Sequence, residues 1–129
     1  MTVTENVYGH ASGSLSTNAI ALSNAIVGYS SPISTTLAIS NAAGFLVNLQ
    51  TVSSSTNAYL SLANVNGVAT NASSNAALTL AAGQGTGTFT NNVTVTFGDS
   101  SSYAGANTNL SSSNLVVTGA IYGLSLIHI

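Results

Sequence analysis

Neither lysine nor arginine occurs in these 129 residues, and that absence removes whole classes of function. A nucleic-acid binder displaces counterions from phosphate with cationic side chains, and this chain has none. An anionic membrane surface attracts it no better, for the same reason. Cysteine is also missing, which excludes disulfides and thiolate metal sites. Without lysine no Lys–Asn isopeptide cross-link can form. The only side-chain carboxylates are Glu5 and Asp99, where an ordinary domain is about one quarter charged. Proline occurs once, as Pro32, in a position that suits the turn before a strand. Long apolar runs are absent as well. The greasiest stretch, LVVTGAIYGLSLIHI from Leu115 to Ile129, is shorter than the ~20 residues of a spanning helix and is broken by Thr118, Gly119 and Gly123. The opening MTVTENVYGH has neither the basic nor the apolar region of a signal peptide.

What remains is 45% apolar residues in a matrix of Ser, Thr, Asn and Gly. That apolar share departs from the composition of disordered chains. The alternation of apolar and polar positions has period two, as half-buried strands require. Leu37 and Ile39 share a face in TTLAISN, as do Phe45, Val47 and Leu49 in FLVNLQ. Leu60 with Leu62, Leu78 with Leu80, Val93 with Val95 and Phe97, and Leu115 with Val117 and Ile121 repeat the pattern. Turn signals separate these runs: NAAG at 41–44, NVNG at 64–67, AAGQG at 81–85 and GDSSSYAG at 98–105. Six or seven short strands predict an all-β, immunoglobulin-like antiparallel sandwich of about seven strands. Its shared core is expected from Leu37, Ile39, Val47, Leu49, Val95, Phe97 and Val117. The architectural alternative is a fragment of a β-helix adhesin, which needs a coil period of about twenty residues; the spacings between these runs vary.

The two ends of the chain resemble each other. With Tyr8 aligned to Tyr122, an offset of 114 residues, Val3 meets Val117, Thr4 meets Thr118, Val7 meets Ile121 and Gly9 meets Gly123. The offset is about one Ig-sized module. The expected organisation is therefore residues 1–14 as the last strand of a preceding repeat plus linker, residues 15–123 as one module, and residues 124–129 as a non-native tail. That tail, LSLIHI, resembles the translation of a transposon-end sequencing adapter, so the natural protein is expected to continue past Gly123, and Met1 is equally suspect as a natural start.

The stretch VGYSSPISTTLAISNAAGFLVNL, Val27 to Leu49, resembles the opening of Ig-like modules related to the ASPM–SPD-2–Hydin group. Gly28 stands in its turn, Leu37, Ile39 and Asn41 in an alternating strand that ends in Asn, and Gly44 in the small-residue turn that follows. LTLAAGQGTGTFTNNVTVTF looks like the next family element, and LVVTGAIYG is similar to the repeat ending of bacterial surface proteins of the choice-of-anchor D type. The resemblance covers roughly Ile20 to Gly123. It implies a non-catalytic structural or spacer module of a large bacterial exported or cell-surface protein, with neighbouring repeats of the same polypeptide as partners. It carries no catalytic residues to transfer.

The titratable groups are few: Glu5, Asp99, His10 and His128. No G-x-S-x-G elbow accompanies the many serines, and the spacing gives a Ser–His10–Asp99 triad no support. The chain is expected not to be an enzyme, and His10 to be a linker residue. Asp99, in GDSSSYAG, is expected to be a plain turn residue, because calcium asks for six to eight oxygens and usually several carboxylates. No cofactor or metal is expected. Sequons at Asn71, Asn92 and Asn109 are unremarkable in so Asn- and Ser-rich a chain. The functional alternative is a module that binds an extracellular glycan or protein. Tyr29 and Tyr103, both placed in loops, are then the contact residues. An extracellular or cell-surface location is expected on composition.

Overall fold

A computed structural model describes residues 6–124 of the chain. Glu5, His128, the Thr2–Thr4 part of the N-terminal segment and the tail beyond Leu124 lie outside the described residues. Among the described residues nine strands form: β1 (Gly13–Leu15), β2 (Ala19–Ala21), β3 (Ala25–Ile26), β4 (Ile33–Asn41), β5 (Leu49–Ser55), β6 (Leu60–Leu62), β7 (Ser73–Leu80), β8 (Gly87–Asp99) and β9 (Ser111–Tyr122). They make two facing sheets, one in the order β1-β4-β7-β6 and the other β2-β9-β8-β5, with β3 also beside β9. The result is an Ig-like β-sandwich, and two separate sheets of this order rule out a solenoid.

Alternation decides which side chains enter the core. Along β4, Leu37, Ile39 and Asn41 point inward; along β8, Val93, Val95 and Phe97; along β9, Leu115, Val117 and Ile121. Six of the seven expected core residues are buried, whereas Val47 is only partly covered and Phe45 is exposed. The reason is local: FLVNLQ does not form one strand. Residues 42–48 are a loop, and β5 starts at Leu49 and runs through the polar TVSSS, held by its register against β8 from Leu49↔Asp99 to Ser55↔Val93. Pairing across the sheet outweighs intrinsic hydrophobicity here.

The short strands β1, β2 and β3 are where the fold departs from a purely antiparallel sandwich. β1 pairs antiparallel with β4, after which the chain crosses to the other sheet and β2 and β3 run parallel to β9. One N-terminal segment thereby supplies an edge strand to each sheet. The polar edge of β5 is covered in turn by residues 62–68: Leu49 and Val68 exchange backbone hydrogen bonds, Thr51 N–H donates to Val65 C=O, and Ser53 N–H donates to Asn64 Oδ1. Chain segments therefore protect edges that a charged protein would guard with lysines.

The strand directions place the two ends of the described chain at opposite poles. Residues 42–48, 66–72 and 99–107 gather at the N-terminal pole, where Gly9 bridges Leu46. Residues 81–86, β3 and the end of β9 gather at the C-terminal pole, where Gly87 pairs with Ile121 and Ile26 with Tyr122. The boundary expected between residues 14 and 15 falls inside β1.

Candidate functional site

The N-terminal pole holds Asn41 and Asp99, two of the three buried polar side chains among the described residues. Residues 9–12 pass between the ends of the two sheets, and a side chain from each sheet takes hold of them. Asp99, the last residue of β8, accepts the Ala11 N–H at 2.8 Å and the Asn107 N–H at 3.0 Å. Asn41, the last residue of β4, accepts the Ser12 N–H at 3.0 Å and donates through Nδ2 to Val47 C=O at 3.0 Å and Val68 C=O at 3.1 Å. Both are buried, and every polar bond on them is satisfied, which is what makes burial of such groups tolerable. Asp99 is thus not a plain turn residue: it ends a strand, is 2% exposed, and ties the 100–110 loop to the incoming chain. The strand-ending Asn of the sequence pattern is explained in the same way, since Asn41 joins three segments.

His10 Nδ1 lies 2.5 Å from Asp99 Oδ2. Burial pushes the Asp99 carboxyl up, but the bonds from Ala11 N–H, the His10 ring and Asn107 N–H outweigh burial and hold it below its ordinary 3.8. The carboxylate is therefore an acceptor only, so Nδ1 carries the hydrogen and Nε2 faces outward. This is how a general base is oriented in hydrolases, and the sequence spacing gave no hint of it. No nucleophile is seated against His10 among the described residues. Ser101 is the serine lining the adjoining cleft, and its Oγ accepts the Tyr103 N–H instead; no described hydroxyl bonds to His10. The pair acts as a clasp on the N-terminal segment, and His10 is more than a linker residue.

Beside the clasp lies an open cleft of about 490 Å³, lined among others by Tyr8, His10, Val47, Asp99, Tyr103 and Ala106. Its rim is aromatic. Tyr8 stacks on Phe45 with ring centroids 4.1 Å apart and on Tyr103 at 5.4 Å; Phe45 and Tyr103 make no stack of their own, so Tyr8 joins them. Of the two tyrosines expected to contact a ligand, Tyr103 belongs to this cluster and Tyr29 does not. Tyr29 sits at the opposite pole, where its hydroxyl donates to Ala81 C=O at 2.6 Å and its ring packs on the core. The sequence reading missed Tyr8 and Phe45 as partners of Tyr103, because they lie 37 or more positions apart along the chain and only the pole of the sandwich brings them together.

Two sheets, a chain that crosses between them after β1 and a parallel edge beside β9 define an immunoglobulin-like β-sandwich domain. Among solved structures the chain is similar to the ASH/PapD-like domain of human CEP192 (PapD-like domain 7), with a TM-score of 0.63 and 10% sequence identity over 97% of this chain and 99% of that one. The likeness is one of fold, and it is consistent with the ASPM–SPD-2–Hydin resemblance of the sequence. No protein-family model matches the sequence, and no curated protein matches it.

Proposed function

We propose that this chain is a non-catalytic spacer repeat of a large bacterial exported or cell-surface protein, joined head to tail to further copies of itself. The observation that carries the reading is the fate of Val7. Val7 is 82% exposed, whereas Ile121, its counterpart at the 114-residue offset, is 2% exposed in the core. An apolar side chain that has no core here would have one in a preceding module. The opposite poles of the two chain ends agree, since a string of such modules needs no reversal of direction. An Ig-like domain without an assembled nucleophile is compatible with a structural role. Sequencing through the flanking DNA tests the reading: further copies of residues 15–123 at intervals of about 114 residues are expected on at least one side, and a different domain on both sides overturns it.

A second reading is favoured by the aromatic rim. Tyr103, with Tyr8 and Phe45, offers a stacking surface of the kind that holds sugar rings, while Tyr29 would make a separate contact at the other pole. Screening the chain on a glycan array, with Tyr103→Ala as control, decides this alternative: saturable binding lost in the variant supports it, and no binding excludes it.

A further inference from the structure

We infer that Tyr122 and Gly123 form the male half of an inter-module joint, and that the Phe45–Leu46–Val47 strip with Tyr103 forms the female half. The inference rests on the array reading above and specifies its contact. Tyr8 and Gly9 show the joint in its closed state. The Tyr8 ring lies against Phe45 and Tyr103. Gly9 N–H donates to Phe45 C=O at 2.8 Å, and Val47 N–H donates to Gly9 C=O at 3.0 Å. A Cβ on Gly9 would stand 2.9 Å from Leu46 Cδ2, so a side chain there would have to push Leu46 aside, and glycine allows the closest approach.

At the other pole the same dipeptide has no such surroundings. Tyr122 ends β9 and is 57% exposed, and it takes part in no aromatic stack among the described residues. Gly123 makes no backbone hydrogen bond to another described residue, its φ is not in the left-handed region, and a Cβ on it would meet only Thr86 Cγ2 at 3.7 Å. No contact among the described residues requires glycine at 123 or an aromatic ring at 122. Both residues gain a use at once if Tyr122-Gly123 occupies, on the following module, the place that Tyr8-Gly9 occupies here: a ring to stack and a small residue to pass close to Leu46. The poles are also matched in character. Val7, Phe45 and Tyr103 are exposed at one, and Ile26, Tyr122 and Leu124 at the other, with no lysine or arginine to repel or to demand water. The occupant of the strip is therefore the end strand of another copy of this module, delivered by the same polypeptide.

The test is a duplicated chain in which residues 1–123 run directly into residues 10–129, so that Tyr122-Gly123 of the first copy precedes His10 of the second. Two readouts are taken. The first is melting. Tyr122→Ala and Gly123→Val in the single chain are expected to shift Tm by less than about 1 °C, because Tyr122 is largely exposed and a Cβ at 123 meets only Thr86 Cγ2 at ordinary contact distance. In the duplicated chain each is expected to lower the Tm of the second copy by about 4 °C. The second is amide exchange at Val47, observed separately in the two copies by segmental labelling. Slow exchange in both is expected, since Gly123 C=O replaces Gly9 C=O as the acceptor. Fast exchange at Val47 of the second copy, or substitutions at 122 and 123 that are as silent in the duplicated chain as in the single one, overturns the joint. That result would leave the array reading standing, which depends on the flanking sequence alone.

Discussion

Asp99 shows how much one side chain can organise. Three donors converge on its carboxylate from the N-terminal segment and the 100–110 loop. Asp99→Asn keeps the shape but turns an amide NH2 toward at least one of those donors. The expected cost is about 2–3 kcal/mol, the penalty for leaving a buried donor unpaired, read as a Tm roughly 10 °C lower. The pH dependence has a definite sign. A carboxyl held below its ordinary 3.8 in the folded state contributes stability that is fully present above that value and is lost as pH falls through the folded value. Denaturant titrations at about pH 7 and about pH 3 should therefore show a drop in stability in the wild type and a much smaller drop in Asp99→Asn. A variant with the same acid sensitivity as the wild type would place the acid-labile group elsewhere.

At the scale of elements, β8 and β9 form the spine, paired from Gly87↔Ile121 to Phe97↔Ser111. Val95 stands in the middle of β8 with no exposure. Val95→Asp buries a charge with no partner, which costs several kcal/mol, and the expected circular dichroism spectrum at 25 °C is that of an unfolded chain; a melt within about a degree of wild type would mean that the face is wrongly assigned. β1 offers a finer probe. A Cβ on Gly13 would fall within the ring of Phe97, so the strand can lie on the core only while it has no side chain there. Gly13→Ala is expected to lose about 1–3 kcal/mol by overpacking, and Phe97→Leu in the same chain should recover part of that loss in a thermal melt. Additive losses would show that β1 does not rest on Phe97.

At the scale of the whole molecule, the large exposed apolar groups gather at the two poles, Val52 on β5 excepted, and residues 62–68 cover the edge of β5. Weak self-association is therefore expected pole to pole rather than edge to edge. Light scattering should show less association when Val7 and Leu124 are both replaced by Ser, with Tm unchanged. Truncation is a poor way to ask the same question. A chain starting at Ser12 loses Gly9, His10 and Ala11, whose bonds to Phe45, Val47 and Asp99 belong to the fold. It should melt several degrees lower whatever it does to association.

The sequence by itself determined the class of fold and most of the core. Period-two alternation is a local property, and Leu37, Ile39, Val95, Phe97 and Val117 lie inside because inward positions on a strand recur every second residue. It also carries the partial match between the two ends, in which Val3, Thr4, Tyr8 and Gly9 are repeated at 117, 118, 122 and 123. The tertiary structure alone decided what had no local signal. β5 is a strand because β8 lies beside it, although SSS scarcely favours one. β1 and β2 belong to different sheets because the chain crosses between edges that exist only once the sandwich is closed. Asp99 and His10 meet across 89 positions, and Tyr8, Phe45 and Tyr103 meet at one pole. Contacts of this kind depend on where strands end, and strand ends are set by pairing between distant segments, which no short stretch of sequence records.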